Sequence, residues 1–209
     1  MQICPPTRPE QAISRLINTL LPHATPMNIP SRKRITWKQK EEANLYIFLE
    51  GELSILRTSD NLVLVTVYEP HLFGVAEMFQ PLRSHALRPE VKSTILRIEA
   101  SKAKAIFREE NLWEDVTALL SYHTAYMGYR DDLVLQQRTY SVIRNHLLEM
   151  ILLPEETRMR VSILEYIQDR THLSRSSVLN VLSALKKGEY IDFIRGGYLR
   201  SIKLLPEKF

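Results

Sequence analysis

Apolar residues near the N-terminus recur at intervals of three and four positions, which is the period of an amphipathic helix. This stripe consists of Ala12, Ile13, Leu16, Ile17, Leu20 and Leu21. Thr7 and Glu10 have the spacing of a capping box, and Pro9 suits a first helical turn. The first element of the chain is therefore predicted to be a helix.

Between Arg34 and Glu99 the pattern changes to short runs rich in Ile, Val, Leu, Thr and aromatic residues, each bounded by turn residues. The runs are RITWK, NLYIFLEG, ELSILRT, NLVLVTVYE and KSTILRIE. The triplets Glu50–Glu52 and Ser59–Asn61 are predicted to form tight hairpin turns between consecutive strands. Several short strands without intervening helices favour an antiparallel sandwich or barrel.

After Ala100 the apolar period returns to 3.6 residues, first in a short helix from Ser101 to Phe107. A longer helix is predicted from Asn111 to Leu135, because this segment contains no proline and one glycine. Its apolar side carries Val116, Leu119, Leu120, His123, Tyr126, Met127, Leu133 and Val134. A helix of this length needs a cover for its outer half. A second copy of the chain is the economical choice, so these residues are predicted to form a dimer interface.

The last third of the chain follows the order helix, turn, helix, hairpin. Helices are predicted at Thr139–Leu153 and Ser162–Arg170, with the loop EETRMR between them. A further helix lies within Thr171–Ile191, and two β-like runs then surround the turn Arg195–Gly197. This order is that of a winged helix-turn-helix, which is a DNA-binding motif.

The predicted fold class is therefore α+β, with three parts along the chain. Residues 1–110 are predicted to form the N-terminal helix and an antiparallel β-roll, and residues 111–137 a dimerisation helix. Residues 138–209 are predicted to form the winged helix-turn-helix.

The second helix of this motif has the chemistry of a recognition helix. Ser174 is a suitable N-cap, and an apolar stripe on one side suits packing. The opposite face carries Arg175, Ser176, Leu179, Asn180 and Ser183. Arginine can donate two hydrogen bonds to guanine, and asparagine can pair with adenine in the same bidentate way. Contacts with the phosphate backbone are predicted for Ser177, Lys186, Lys187 and Arg195. An ordinary surface helix has the same two faces, which leaves that alternative open.

Charge and cysteine content agree with a DNA-binding protein without deciding the matter. The 209-residue chain has a formal charge of +4, and residues 138–209 carry 12 Lys and Arg against 8 Asp and Glu, a net of +4. The single cysteine, Cys4, excludes an intramolecular disulfide and a cluster held by several thiolates, and fits a cytoplasmic location. No run is long enough to span a membrane, and the start MQICPPTRPEQ predicts no secretory signal.

The stretch LSRSSVLNVLSALKKGEYI resembles the recognition helix of the CRP/FNR superfamily of bacterial transcription regulators, which begins Ser-Arg and runs into a wing. Ser174 and Arg175 match that pattern, and Asn180 holds a position often used for base contact. Ser176 stands where the family has Glu or Gln, so the family's base preference does not carry over. The order of β-roll, long helix and winged motif extends the resemblance over the whole chain.

In the β-roll, LFGVAEMFQPLRSHALR resembles the cassette that binds the phosphate of a cyclic nucleotide in this family. Gly74, Arg83 and Ser84 match it. Val75 replaces the glutamate that accepts the ribose hydroxyl, and His85 replaces a small residue. Glu77 lies two residues later, on the same face if the segment is a strand. An unpaired buried hydroxyl costs roughly 1–3 kcal/mol, so the pocket is predicted to be degenerate.

The resemblance implies a homodimeric, sequence-specific regulator that binds double-stranded DNA and has RNA polymerase as a further partner. No cofactor and no metal are expected, because His71 and His85 are isolated and Asp131 and Asp132 diverge on a helix. The chain is also similar to the enterobacterial branch called IprA, whose name refers to hydrogen peroxide resistance, which implies a role in the oxidative-stress response.

Three other functions stay open. The β-roll could bind a cyclic nucleotide or another small molecule and gate the regulator. The chain could be an enzyme of the cupin type, although the β-region offers only two histidines as ligands. It could also be a regulator-like protein that has lost DNA binding and acts through a partner.

Overall fold

The computed structural model describes residues 4–35, 38–39, 42–80, 84–134 and 138–207. The chain divides into two compact units, Cys4–Gly128 and Tyr129–Phe209. The predicted functional division into residues 1–110, 111–137 and 138–209 stays a prediction. No helix among the described residues is long and apolar enough to cross a membrane.

Two antiparallel sheets form the centre of the Cys4–Gly128 unit. Its strands are β1 (Thr25–Met27), β2 (Lys38–Gln39), β3 (Glu42–Glu50), β4 (Leu53–Arg57), β5 (Val63–Val67), β6 (His71–Phe73), β7 (His85–Pro89) and β8 (Thr94–Glu99). One sheet has the order β1-β8-β3-β2, with β6 also paired to β3, and the other has the order β5-β4-β7. The predicted antiparallel β-roll is confirmed.

Strand β3 is buried on both faces, which explains its continuous apolar run. Leu45 and Ile47 belong to a cluster with apolar residues of the surrounding helices. Tyr46 and Phe48 point to the opposite face, as successive residues of a strand do, and pack in the cluster that joins the two sheets. The alternation along this one strand therefore separates two cores.

The two predicted hairpin turns have different outcomes. The turn at Ser59–Asn61 is confirmed, because β4 and β5 pair directly and Arg57 binds Asp60 at 2.5 Å. The hairpin at Glu50–Glu52 is wrong, because β3 and β4 lie in different sheets. Gly51 instead allows the chain to pass between the sheets with φ +111°, where a Cβ would lie 2.3 Å from Ser93 Oγ.

Four helices accompany the sheets: α1 (Glu10–Leu20), α2 (Val75–Phe79), α3 (Ala100–Glu109) and α4 (Trp113–Val134). The stripe of α1 is buried from Ala12 to Leu20, as predicted. The capping box at its start is wrong, since Pro9 holds the N-cap position and no side chain caps the helix. The long helix is confirmed.

The Tyr129–Phe209 unit contains the last turn of α4 and a winged helix-turn-helix. Its other elements are α5 (Thr139–Ile151), α6 (Glu155–Arg158), α7 (Ile163–Gln168), α8 (Arg175–Lys187), β9 (Ile191–Ile194) and β10 (Tyr198–Ile202). The β9–β10 hairpin with its glycine turn is confirmed. The segment EETRMR contains the short helix α6 and is not only a loop. The core of this unit joins α5, α7, α8 and the hairpin.

Candidate nucleic-acid interface

Helices α7 and α8 are each capped at their start by a serine side chain. Ser162 accepts a bond from the Glu165 backbone N–H at 3.2 Å, and the Glu165 carboxylate accepts one from the Ser162 N–H at 3.1 Å. This is a capping box that the sequence analysis did not identify. Ser174 caps α8 as predicted, because its hydroxyl accepts a bond from the Ser177 N–H at 3.1 Å.

Helix α8 has one buried and one exposed face. Val178, Leu182 and Leu185 are buried, while Val181 is only partly covered. All five residues of the predicted base-reading face are exposed: Arg175, Ser176, Leu179, Asn180 and Ser183. Leu179 is 42% exposed, so its apolar side chain is open to a partner. The side chains that would read DNA are therefore not used in holding the fold.

A groove of about 930 Å³ runs between α8 and the hairpin. Five residues predicted to contact DNA line it: Arg175, Leu179, Ser183, Lys186 and Lys187. Ser176 and Asn180 are exposed on α8 outside the groove lining, and Arg195 is exposed in the hairpin turn. The structure thus gathers five of the predicted contact residues in one concave surface, with Ser176 and Asn180 on the adjoining face and Arg195 in the turn.

The electrostatics of α8 favour a polyanion. The helix carries Arg175, Lys186 and Lys187 and no acidic residue. Two of these cations are at its C-terminal end, where they also offset the negative end of the helix dipole. In the described part of the chain, Glu165 is the one acidic residue that lines the groove, and its carboxylate is bound in the capping box.

Three helix residues, Lys186, Ile163 and Arg158, make contacts with the hairpin that the sequence analysis missed. Lys186 Nζ donates to the Phe193 carbonyl at 3.2 Å and lies 3.9 Å from the centre of the Phe193 ring. The Ile163 N–H donates to the Gly197 carbonyl at 2.9 Å. Arg158 donates to the carbonyls of two residues of β10, at 3.1 Å in each case. Lys186 therefore helps to hold the wing, and its phosphate contact stays a prediction.

In the Cys4–Gly128 unit, two residues of the predicted nucleotide cassette lie at the start of helix α2. Gly74 has φ +94° and lies at the N-cap of α2, and Val75 is 1% exposed. The assumption that Glu77 shares a strand face with Val75 is wrong, because both lie on α2, where two positions differ by about 200°. Ser84 is exposed and precedes β7, in which burial lowers the pKa of His85. Arg83 lies outside the described residues.

The predicted dimer residues of α4 do not share one exposed face. Val116 and Leu119 are fully buried in the core of the Cys4–Gly128 unit, so they cannot also contact a second chain. Four others line a cavity of that unit: Leu120, His123, Tyr126 and Met127. Leu133 is buried and the side chain of Val134 lies outside the described part. The outward face instead carries small side chains, at Thr117, Ser121, Ala125 and Gly128.

Comparison with known proteins places this architecture in a family. Residues 139–207 match the family model described as winged helix-turn-helix DNA binding. The chain is 30% identical over 97% of its length to the protein of Salmonella typhimurium named inhibitor of hydrogen peroxide resistance, and covers 98% of that relative. It is 28% identical to the Escherichia coli protein of the same name, over 97% of this chain and 98% of the relative.

The chain belongs to the inhibitor of hydrogen peroxide resistance family. Its fold is that of the CRP/FNR regulators. A structure of the c-di-GMP responsive global regulator CLP of Xanthomonas campestris is similar, with a TM-score of 0.72 and 17% identity over 89% of this chain and 98% of that chain. The structure of FixK2 from Bradyrhizobium japonicum has a TM-score of 0.55 and 17% identity over 85% and 93% of the two chains. This member of the inhibitor of hydrogen peroxide resistance family is a DNA-binding regulator and not an enzyme.

Proposed function

We propose that the chain is a homodimeric transcription regulator that recognises a specific sequence in double-stranded DNA through α8. The observation that supports this is the exposed face of α8, where Arg175, Asn180 and Ser183 are free of the core on a capped helix. The major groove of B-DNA is about 12 Å wide and accepts such a helix. Arg175 would read guanine and Asn180 adenine, because each can make two parallel hydrogen bonds to that base edge.

Contacts with phosphate would come from the residues around this face. Ser177 lies in the first turn of α8, where backbone N–H groups favour an anion. Lys187 lines the groove, and Arg195 is exposed in the wing turn. Such contacts set affinity and position and carry no sequence information of their own.

Binding experiments separate the two roles. Arg175→Ala should weaken binding about 10–100-fold on the preferred site and relax the preference at one base pair, because one bidentate contact discriminates by roughly 1–3 kcal/mol. Lys187→Ala should weaken binding to all DNA and reduce the salt dependence by about one phosphate contact. Arg108→Ala, which removes an exposed arginine of α3, is the matched control and should change neither. Equal weakening by Arg175→Ala on every DNA sequence would contradict its role as a base reader.

The dimer would form through the small outward face of α4 and not through its apolar stripe. Thr117, Ser121, Ala125 and Gly128 recur at intervals of four, four and three residues. That spacing keeps them on one side of a helix, where small side chains allow two helices to approach closely. Two copies related by a two-fold axis would place their α8 helices in successive major grooves, about 34 Å apart, which predicts a pseudo-palindromic site.

Gly128 provides a direct test of this face. Among the residues that the structure describes, none has an atom within 4 Å of a Cβ built at Gly128, so Gly128→Leu should leave the fold intact. Its side chain would separate two packed helices, and sedimentation at micromolar concentration should then find monomers where the original chain is dimeric. Gly128→Ala should remain dimeric. A stable dimer of Gly128→Leu would contradict this interface.

The regulator is further proposed to act without a cyclic nucleotide. The buried side chain of Val75 cannot accept the ribose hydroxyl bond that the family's glutamate provides. Isothermal titration with cyclic AMP should therefore release no binding heat at millimolar nucleotide. A saturable signal with micromolar affinity would overturn this part of the proposal.

The cellular role is proposed from the relatives. The relatives are named inhibitor of hydrogen peroxide resistance, which suggests that this regulator controls genes of peroxide defence. It would act in the cytoplasm, with RNA polymerase as a further partner. Deleting its gene should change survival in hydrogen peroxide, and the original gene should restore it while the Arg175→Ala version should not. Full restoration by Arg175→Ala would separate the peroxide phenotype from DNA reading.

A further inference from the structure

Within the described residues, Leu179 is the one leucine or valine of α8 that lies outside the core of its unit. It is 42% exposed. The other leucines and valines of α8 belong to that core or pack against it: Val178, Val181, Leu182 and Leu185. The packing of the core therefore does not explain why a leucine occupies position 179.

Leu179 lies in the middle of the proposed base-reading face. Because successive residues of a helix are rotated by about 100°, Leu179 lies about 40° from Arg175, and Asn180 lies about 100° further round in the same direction. Leu179 also lines the groove beside α8 together with Arg175 and Ser183. A DNA duplex that contacts Arg175 and Asn180 at the same time must therefore cover Leu179 as well.

An apolar side chain finds few favourable contacts in the major groove. The edges of guanine, cytosine and adenine present hydrogen-bonding groups there, whereas thymine adds a C5-methyl group to its O4 acceptor. The side chain of Leu179 can neither donate nor accept, so a polar base edge covered by it would lose its hydrogen bonds to water, which is unfavourable. The methyl group of thymine is the feature of a base that an apolar side chain can cover with a gain in free energy.

We propose that Leu179 selects a thymine in each half of the pseudo-palindromic site by covering its C5-methyl group. This inference rests on the proposed recognition of DNA through α8, and it adds a third base to the guanine and adenine proposed for Arg175 and Asn180. Four residues rise by about 6 Å along a helix, and base pairs are about 3.4 Å apart. The thymine should therefore lie within about two base pairs of the guanine that Arg175 contacts.

Uracil is the probe for this contact, because it differs from thymine only by the missing methyl group. The full-length protein is given duplexes of its preferred site, obtained by selection from a random pool. Each thymine is replaced by uracil in turn, at the same position in both halves of the site. At one position the replacement should weaken binding about fourfold for each half, or about 15-fold in total, which is the contribution of burying one methyl group per half. Unchanged affinity after every replacement would overturn the proposal.

Three leucine variants connect the methyl group to Leu179. Leu179→Ala removes the covering side chain, so it should bind the thymine and uracil duplexes with affinities within about twofold of each other. Leu179→Met keeps an apolar side chain of similar volume and should retain the preference for thymine. Leu148→Ala, at a 37% exposed leucine of α5, is the matched control and should retain it as well. The same preference for thymine in Leu179→Ala as in the original chain would overturn the role of Leu179.

The outcomes also separate this inference from the function on which it rests. If selection enriches no motif, the proposed function and this inference both fail. If a motif is enriched and Arg175→Ala relaxes its guanine, but no thymine in the motif responds to uracil, this inference alone fails. Because the uracil duplexes are tested with the original chain, that result does not depend on the folding of any variant.

Discussion

Acidification should destabilise the Cys4–Gly128 unit through His123. Burial, together with a smaller effect of the nearby His85, lowers the pKa of His123 from 6.5 to about 4. Burial also lowers the pKa of His71, its hydrogen-bond partner. The charged or titratable groups around the pair are Arg8 on the N-terminal segment, Glu10 on α1, Glu69 between β5 and β6, His85 on β7 and Tyr122 on α4.

The sign of the effect follows from proton binding. Below pH 6.5 the unfolded chain binds a proton at His123, whereas the folded chain binds it only near pH 4. The unfolded state therefore binds more protons in this window, and the free energy of unfolding falls as the pH falls. At 1.36 kcal/mol for each pKa unit, His123 alone should remove about 3 kcal/mol between pH 7 and pH 4.

Urea unfolding followed by tryptophan fluorescence can measure this loss. Trp113 lies in the Cys4–Gly128 unit and the sequence has no tryptophan after residue 128, so the signal does not come from the Tyr129–Phe209 unit. Each protein loses some free energy of unfolding when the pH falls from 7 to 4.5. This loss should be about 2 kcal/mol smaller for His123→Gln than for the original chain. His23→Gln serves as the control and should retain the full difference. If His123→Gln had the same pH dependence as the original chain, the neutral buried state of His123 would be refuted.

The remaining predictions concern local contacts. Ser174→Ala should cost about 1 kcal/mol in the unfolding of the Tyr129–Phe209 unit by circular dichroism, because α8 loses its cap; an unchanged midpoint would contradict that role. Gly51→Ala should lower the melting temperature of the Cys4–Gly128 unit, because the added Cβ would overlap Ser93 and the backbone has a positive φ. A higher melting temperature would contradict the conformation of Gly51 between β3 and β4. Arg158→Met should weaken DNA binding equally on all sequences, because two β10 carbonyls lose their donor; a change in base preference would instead place Arg158 at the bases.

The parts of the fold that depend on local signals could be predicted from the sequence. Helix α8 combines an N-cap serine, a regular apolar stripe and a glycine after its last turn, and all three act within a few residues of each other. The β9–β10 hairpin is local for the same reason. The prediction of a hairpin at Glu50–Glu52 was wrong because these strands pair with strands that are distant in the sequence. Strand β3 pairs with β8, and β4 pairs with β7.

The candidate sites show the same limit. The apolar stripe of α4 predicts that Val116 and Leu119 are buried, but it does not predict which residues pack against them. In the structure they pack in the core of their own unit. The contacts of His71 with Arg8 and His123 span 63 and 52 residues, so no sequence window could join them. The wing contacts of Arg158 span about 40 residues and were missed for that reason.

The central claim is that α8 reads a specific DNA sequence. Selection of bound duplexes from a random pool, followed by sequencing, tests it most directly. The purified protein should enrich a pseudo-palindrome whose half-site centres lie about 10 base pairs apart, and Asn180→Ala should relax the preference for adenine at one position in each half-site. Recovery of a pool with no enriched motif would contradict the claim.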